Sequence, residues 1–385
     1  MAWRTQSKVE ARYDFVVRAT DGKESFASLC REFGISRPTG YRWVSRFQKS
    51  NDIRSLEDNP SCPHTSPCRT AVKHEKRVVA LRRRYGWGAR KLQVLLDTEG
   101  VSLPVTTIHR ILKRHGLITP SKKGYSATER FERASPNELW QMDFKGDVPV
   151  TGGRCYPLSI LDDHSRYVLG LYALHRPGGE QVYHALAQTF ACYGVPAEML
   201  MDHGTPWYST TNGHGLTWLS VALLKQGIRL TYSGIRHPQT QGKVERFHRT
   251  LKDSVAFHGT PQTLDGWESA LLRFQDEYNT IRPHEALQME TPVKQYRPSR
   301  QSYNPNPPEW EYPPGSIVAQ LNSQGCVTYR GQRFFVCEPL ANERVQITEV
   351  NGLLLVKFQR TYIRQINIKT RKSVPLMTDK HPNKL

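Results

Sequence analysis

The chain has 385 residues, enough for two to four domains, and its 54 Lys plus Arg against 35 Asp plus Glu leave a net charge of +19. Solubility needs far less charge of one sign, so the excess points to a polyanionic partner, where each neutralised phosphate releases condensed counterions. No apolar run is long enough to span a membrane, the start lacks an export signal's apolar core, and seven scattered cysteines suit a reducing compartment; a cytoplasmic, nucleoid-associated nucleic-acid protein is expected.

Over Ser25–Gln48 the apolar residues keep helical spacing with one break. Phe26, Leu29 and Phe33 share a face, Gly34 supplies the turn, and Ser36 caps a second helix with Tyr41, Val44 and Phe47 on its apolar stripe. Arg37, Thr39, Arg42 and Arg46 stay on the outer face. Two short helices around such a turn predict a helix-turn-helix within 1–55, its second helix set in a DNA major groove. The pattern recurs over 71–120, where Leu92, Leu95 and Leu96 line one helix and Ile108, Ile111 and Leu112 the next, with Arg110, Lys113 and Arg114 outside. The segment between, 56–70, is rich in Pro and Ser and reads as a linker. Its Cys62, His64 and Cys68, with His74 beyond, lack a close Cys-x-x-Cys pair and are read as free loop side chains, not zinc ligands.

After a further linker, 121–136, the pattern over 137–296 changes to three strands, helix, strand, helix, strand and helix. That order predicts an α/β layer fold of the ribonuclease-H type. Asp143 falls in the first strand and Asp202 just after an apolar one; Glu245 lies 43 positions further on, in a helix. On that helix Val244, Phe247, Leu251 and Val255 make the buried stripe, and Glu245, His248, Arg249 and Lys252 the stripe beside it. Three carboxylates from separate elements suit hard divalent cations and the in-line displacement of a phosphodiester. Singly, each has a plainer use: Asp143 as a strand-end acid, Asp202 as a turn former, Glu245 as the i,i+4 partner of Arg249. Asp162 and Asp163 are assigned to local backbone bonding in a hairpin turn, and Trp140 and Trp207 to core packing rather than stacking on bases. A Pro-rich spacer, 297–314, leads to six short β-rich runs over 315–372, which predict a small barrel or sandwich, and 373–385 reads as a loose polar tail.

The segments WQMDFKG, MDHGTPW, HPQTQGKVERFHRTLK and YNTIRPHEAL with TPVKQY, in this order, resemble the integrase core of DDE insertion-sequence transposases. The branch is the one related to retroviral integrases, encoded as a single reading frame with two N-terminal helix-turn-helix units. The likeness extends over almost the whole chain. It implies that Asp143, Asp202 and Glu245 are the catalytic acids and hold two Mg²⁺ ions, for which Mn²⁺ substitutes. Arg249, on the stripe beside the core, can reach phosphates; the resemblance implies that Lys252 lies against element-end DNA, that His237, Gln239, Gln241 and Lys243 approach DNA from the loop before the helix, and that the C-terminal domain is an SH3-like barrel. The partner implied is double-stranded DNA, at terminal inverted repeats and at a target. A dimer or larger homo-oligomer would cut the ends to free 3′ hydroxyls and join them to the target. Two features depart from the family: His203 stands where Asn is usual, and the gap between Asp202 and Glu245 is long. Neither removes a ligand. On the residues alone, a nuclease that cuts without joining and a DNA-binding repressor with an inactive core both stay open.

Overall fold

The first helix starts at a capping box: Glu10 N–H donates to Ser7 Oγ at 3.2 Å and Ser7 N–H returns a bond to Glu10 Oε2 at 2.7 Å. This computed structural model describes residues 7–59, 69–118, 132–209, 211, 215–233 and 242–376, and the chain divides into two compact units, Met1–Thr70 and Ala71–Leu385. In the first unit α1 (Lys8–Asp21) packs on α2 (Phe26–Glu32) and α3 (Arg37–Ser50) around Phe15, Val16, Leu29, Cys30 and Leu56. The pair α2 and α3 is the expected one, with Gly34 at φ 61° between them and Ser36 as the cap. The added α1 makes it a three-helix unit. One residue of the expected stripe is corrected: Gly40 is buried, whereas Tyr41 is 60% exposed and stacks on Phe26 at 4.2 Å. A Cβ at position 40 would stand 2.8 Å from Phe15 Cζ, so the helices cross this closely because the residue is glycine.

The second unit begins with α4 (Val72–Tyr85), α5 (Ala89–Thr98) and α6 (Val105–Arg114). Leu92, Leu96, Ile108, Ile111 and Leu112 are buried as the spacing predicts, and Val78, Val79 and Leu81 of α4 complete their core. There follow β1 (Trp140–Phe144), β2 (Val148–Val150), β3 (Gly153–Asp162), β4 (Val168–Leu174), α7 (Gly179–Tyr193), β5 (Glu198–Met201), α8 (Trp218–Lys225), β6 (Arg229–Tyr232), α9 (Gly242–His258) and α10 (Leu264–Asp276). The sheet runs β4-β3-β1-β5-β6, antiparallel as far as β1 and parallel from β1 to β6, with the short β2 folded back on β3. Strand alternation divides the core between two faces. Trp140, Met142, Leu158 and Ile160 meet Leu186 and Phe190 of α7 and Leu219 of α8. On the other face Cys155, Leu161, Val168 and Leu171 meet Phe247 and Leu251 of α9 and Trp267 of α10. Because β1 and β5 are parallel neighbours, their C-terminal ends open side by side, where crevices form in such sheets.

Six strands fall on the six expected C-terminal runs: β7 (Ile317–Gln320), β8 (Cys326–Tyr329), β9 (Gln332–Phe335), β10 (Arg344–Val350), β11 (Leu353–Phe358) and β12 (Thr361–Asn367). A seventh, β13 (Ser373–Pro375), lies in the stretch that reads as a loose tail. The expected barrel is corrected. Among the described residues the sheet β13-β12-β11-β10-β7 is open, and β8 and β9 stand apart as a hairpin. Closure would need a ladder from β7 to β13, but β13 is only three residues long and ends at a proline, which has no N–H to give. Bonds from Val336 and Cys337 N–H to the Gly325 carbonyl extend the hairpin's own ladder, and Arg364 Nε–H of β12 donates to the Val336 carbonyl at 2.7 Å, tying the hairpin to the sheet. The five cysteines among the described residues are all free thiols, and no described helix is long and apolar enough to cross a membrane.

Candidate active site

Asp143 sits near the C-terminal end of β1, opposite Ser159 of β3. His248 of α9 reaches both: its Nε2 is 3.0 Å from Ser159 Oγ, and its Nδ1 is 3.7 Å from Asp143 Oδ2. Burial, helped by the charge of Lys145, holds the His248 pKa down to about 4, so the ring is neutral near pH 7 and this approach is not an ion pair. The Asp143 carboxyl moves the other way, up to about 7. Burial is the first cause and the negative charge of Asp202 the second, opposed by the Phe144 N–H and reinforced by Glu245. Asp143 therefore senses both other acids.

Asp202 follows β5 and is held from its own loop. Its Oδ1 accepts hydrogen bonds from Gly204 N–H at 2.9 Å and from Trp207 Nε1–H at 2.8 Å; the same indole N–H lies 3.1 Å from the Asp202 carbonyl. A Cβ at Gly204 would come within 2.9 Å of Oδ1, so this approach also depends on glycine. Trp207 is 1% exposed, as the assignment to the core expects, and its ring stacks on Phe144 at 5.4 Å. Its bond to Asp202 is not visible in the spacing, because nothing in a sequence says which way a buried indole N–H points. The His203 ring lies against Tyr208 and Tyr232.

Glu245 is exposed in the first turn of α9, beside the buried Val244. No ion pair joins it to Arg249 among the described residues, so the plain i,i+4 use is not made. Nor do any three carboxylate, imidazole or thiol side chains among the described residues stand together as a ready metal cage. Arg249 and Lys252 are exposed on the same helix. The charge of Lys252 adds to burial in lowering the pKa of Lys145.

Lys243 has a partner that the sequence reading did not give it. Its Nζ lies 2.6 Å from Asp163 Oδ2, and its side chain is 17% exposed. Val244 must point into the core, and that register brings Lys243 down onto the turn after β3. Asp163 also accepts from Arg133 N–H at 2.9 Å and Gln141 Nε2–H at 2.7 Å. Asp162 accepts from Asn137 N–H, Ser165 N–H and Ser165 Oγ–H. Asp162 thus makes the expected local turn bonds to Ser165 and a longer one to Asn137, while the Asp163 carboxylate bonds at long range. His237, Gln239 and Gln241 lie outside the described residues, as do Cys62, His64 and Cys68.

On the helical units Arg37, Arg42, Arg110 and Lys113 are exposed, while Thr39 shares a 2.9 Å hydrogen bond with Ser36 Oγ. Arg46 donates to Asn59 at 2.5 Å and Arg114 to Glu75 at 2.9 Å, so both already hold polar partners.

Residues 133–238 and 226–292 match the integrase core domain family, 12–60 a helix-turn-helix domain and 39–112 a homeodomain-like domain. The chain is 26% identical over 227 residues to the insertion element IS407 uncharacterized 31.7 kDa protein of Burkholderia multivorans, covering 56% of this chain and 79% of that one. It is 22% identical over 346 residues to the transposase for transposon Tn552 of Staphylococcus aureus, covering 77% and 68%. The HTLV-2 integrase catalytic core domain, solved in complex with magnesium, superposes with a TM-score of 0.34 at 16% identity, over 43% of this chain and 99% of that one.

Proposed function

From the premise that the chain belongs to the insertion-sequence transposases with an integrase-type core, we propose that Asp143, Asp202 and Glu245 are its catalytic acids and hold two Mg²⁺ ions. The observation that supports this is electrostatic: burial first, and then the negative charges of Asp202 and Glu245, raise Asp143 to about 7, so acids from three elements act on one another. Bound cations would relieve that repulsion, and an all-carboxylate donor set fits hard ions in kind. Such ions, when bound, supply Lewis acidity to the phosphodiester oxygens. The chain's own residues do the rest. The neutral His248 keeps a second positive charge away from Asp143, while Arg249 and Lys252 hold DNA phosphates beside it. The exposed Arg37, Arg42, Arg110 and Lys113 meet the terminal repeats, with the duplex docked on the two helix-turn-helix units. Hydrolysis of a phosphodiester at each element end frees a 3′ hydroxyl. That hydroxyl then displaces a phosphodiester of target DNA, within an assembly of at least two protomers because two ends must be joined.

The test is to incubate the protein with DNA carrying the element ends, a target duplex and Mg²⁺. Cut ends and joined products are both expected. Cut ends alone would make it a nuclease, and neither product, with binding intact, a repressor.

Trp207 gives a finer prediction. Trp207→Phe keeps an aromatic ring over Phe144 but removes the donor to Asp202 Oδ1. Groups that orient a metal ligand are typically worth about 10- to 100-fold in metal affinity or activity. The variant should therefore cut more slowly by that factor and bind Mn²⁺ more weakly, with DNA affinity unchanged. Equal Mn²⁺ titrations for the two proteins would reduce Trp207 to packing alone.

A further inference from the structure

A cavity of about 530 Å³ opens within the second unit between α5 and α6 on one side and the middle of α9 on the other. Lys91 and Arg90 of α5, His109 of α6, Thr250 and Ser254 of α9, and Arg282 just after α10 stand on its wall. Lys91 and Arg282 are only partly exposed. Arg282 lies over the Trp87 ring at 5.6 Å. Neither makes an ion pair or hydrogen bond to a carboxylate among the described residues. Asp253 and Glu285 share the wall but stay beyond ion-pair distance of both.

Each cation also feels the other elements' charges. Lys91 is lowered to about 7, by burial first and then by Arg282, with Arg246 of α9 adding to the effect and Glu285 opposing it. Arg282 is lowered too, by burial first, with Arg246 adding to the effect and Tyr278, Glu277 and Asp253 opposing it. Burying like charges together is costly, and here Glu277, Asp253 and Glu285 offset that cost from a distance, with no ion pair or hydrogen bond to either cation. The shape points to an anion. An ammonium, a planar guanidinium backed by an indole and the Ser254 hydroxyl suit a tetrahedral oxyanion with several acceptor oxygens.

We propose that this cleft receives a phosphate of the DNA backbone, so that the second helix-turn-helix unit and α9, the helix that bears Glu245, grip one duplex. The proposal rests on the DNA-transposase reading and adds a contact to it. A phosphate seated here would tie correct docking of the end to the helix that carries the third acid. It would also explain why the cations are left without close carboxylate partners: an acid paired with them would have to be displaced each time DNA bound.

The test uses the full chain and the variants Lys91→Met, Lys91→Arg and Arg282→Met. Each is assayed for affinity to an end-bearing duplex across a KCl series, for its melting temperature without DNA, and for protection by inorganic phosphate. Lys91→Met should bind the duplex about 3- to 10-fold more weakly, with a salt slope shallower by roughly one. Without DNA it should melt above wild type, because a poorly compensated buried charge is gone. Arg282→Met should weaken binding likewise, and Lys91→Arg should keep the wild-type slope. Opposite signs for stability and DNA affinity are what a structural cation cannot give. Unchanged affinity and slope in both Met variants would overturn the proposal, as would a Lys91→Met protein that melts lower than wild type. Protection by phosphate alone, with duplex affinity unchanged, would overturn it in favour of a free-anion site. If wild type binds no end duplex at all, the transposase reading falls first and the proposal with it.

Discussion

Asp143→Asn is expected to lose DNA cutting by at least about 10³-fold and, in the absence of metal, to be more stable than wild type at pH 8. The two effects share one cause. In the fold the carboxyl titrates at about 7, pushed up by burial and by Asp202 and Glu245. Unfolded, it titrates near 3.9. The folded state thus holds the proton more tightly, and the ionised form is what folding disfavours. Above pH 7 both states are ionised and the full penalty stands; it is relieved as pH falls from 7 toward 4. The limit set by that difference is about 4 kcal/mol, and relaxation should leave roughly 1–3 kcal/mol. Relative to Asp143→Asn, wild type should therefore gain stability on acidification across this window, because the two proteins share every other titrating group, the buried neutral His248 among them. Mg²⁺ should raise the melting temperature of wild type at pH 8 and leave that of the variant alone. Urea midpoints at pH 5 and pH 8, with and without Mg²⁺, check all three statements. A variant less stable than wild type at pH 8 would mean that Asp143 is a structural acid.

Wherever a single periodic pattern decides an element, the sequence carries it: α2 and α3 around Gly34, α5 and α6, the run from β3 through α9, and six C-terminal strands. The first helices of both DNA-binding units were harder to see. In α1 only Phe15 and Val16 are buried, too few to make a stripe, although the Ser7 and Glu10 capping box marks its start. Barrel closure could not be read either, since it depends on which edges pair, and hydrophobic alternation says nothing of edges. The site divides in the same way. Asp143, Asp202 and Glu245 carry local context, and the motifs around them gave the resemblance. The Asp163 that pairs with Lys243 and the Arg282 that faces Lys91 come from elements far off in the chain, and the direction of the Trp207 N–H leaves no mark in the sequence. A basic residue in a basic protein reads as a DNA contact until a fold supplies a buried carboxylate for it.

That carboxylate sets the other large effect. Asp163→Ala should destabilise the second unit by about 3–5 kcal/mol, the usual outcome when one member of a buried ion pair is removed. Asp163 is 0% exposed, and Ala would strip from Lys243 its ion-pair partner while also removing the acceptor for Arg133 N–H and Gln141 Nε2–H. Asp163→Asn keeps an acceptor oxygen and loses only the charge, so it should cost less. The double variant Asp163→Ala with Lys243→Met removes both charges, and if the loss is mainly that of the carboxylate opposite the ammonium it should recover at least about 1 kcal/mol over Asp163→Ala alone. A functional consequence follows from position. Lys243 lies in the first turn of α9, two residues before Glu245, so releasing it loosens the end of the helix that presents the third acid. Asp163→Ala should cut DNA more slowly even at temperatures where it is fully folded, with duplex affinity close to wild type. Urea unfolding of the four proteins measures the energies, and single-turnover cutting at low temperature measures the helix. A loss below about 1 kcal/mol would show that the pair contributes little, and normal cutting by folded Asp163→Ala would show that Glu245 is positioned without it.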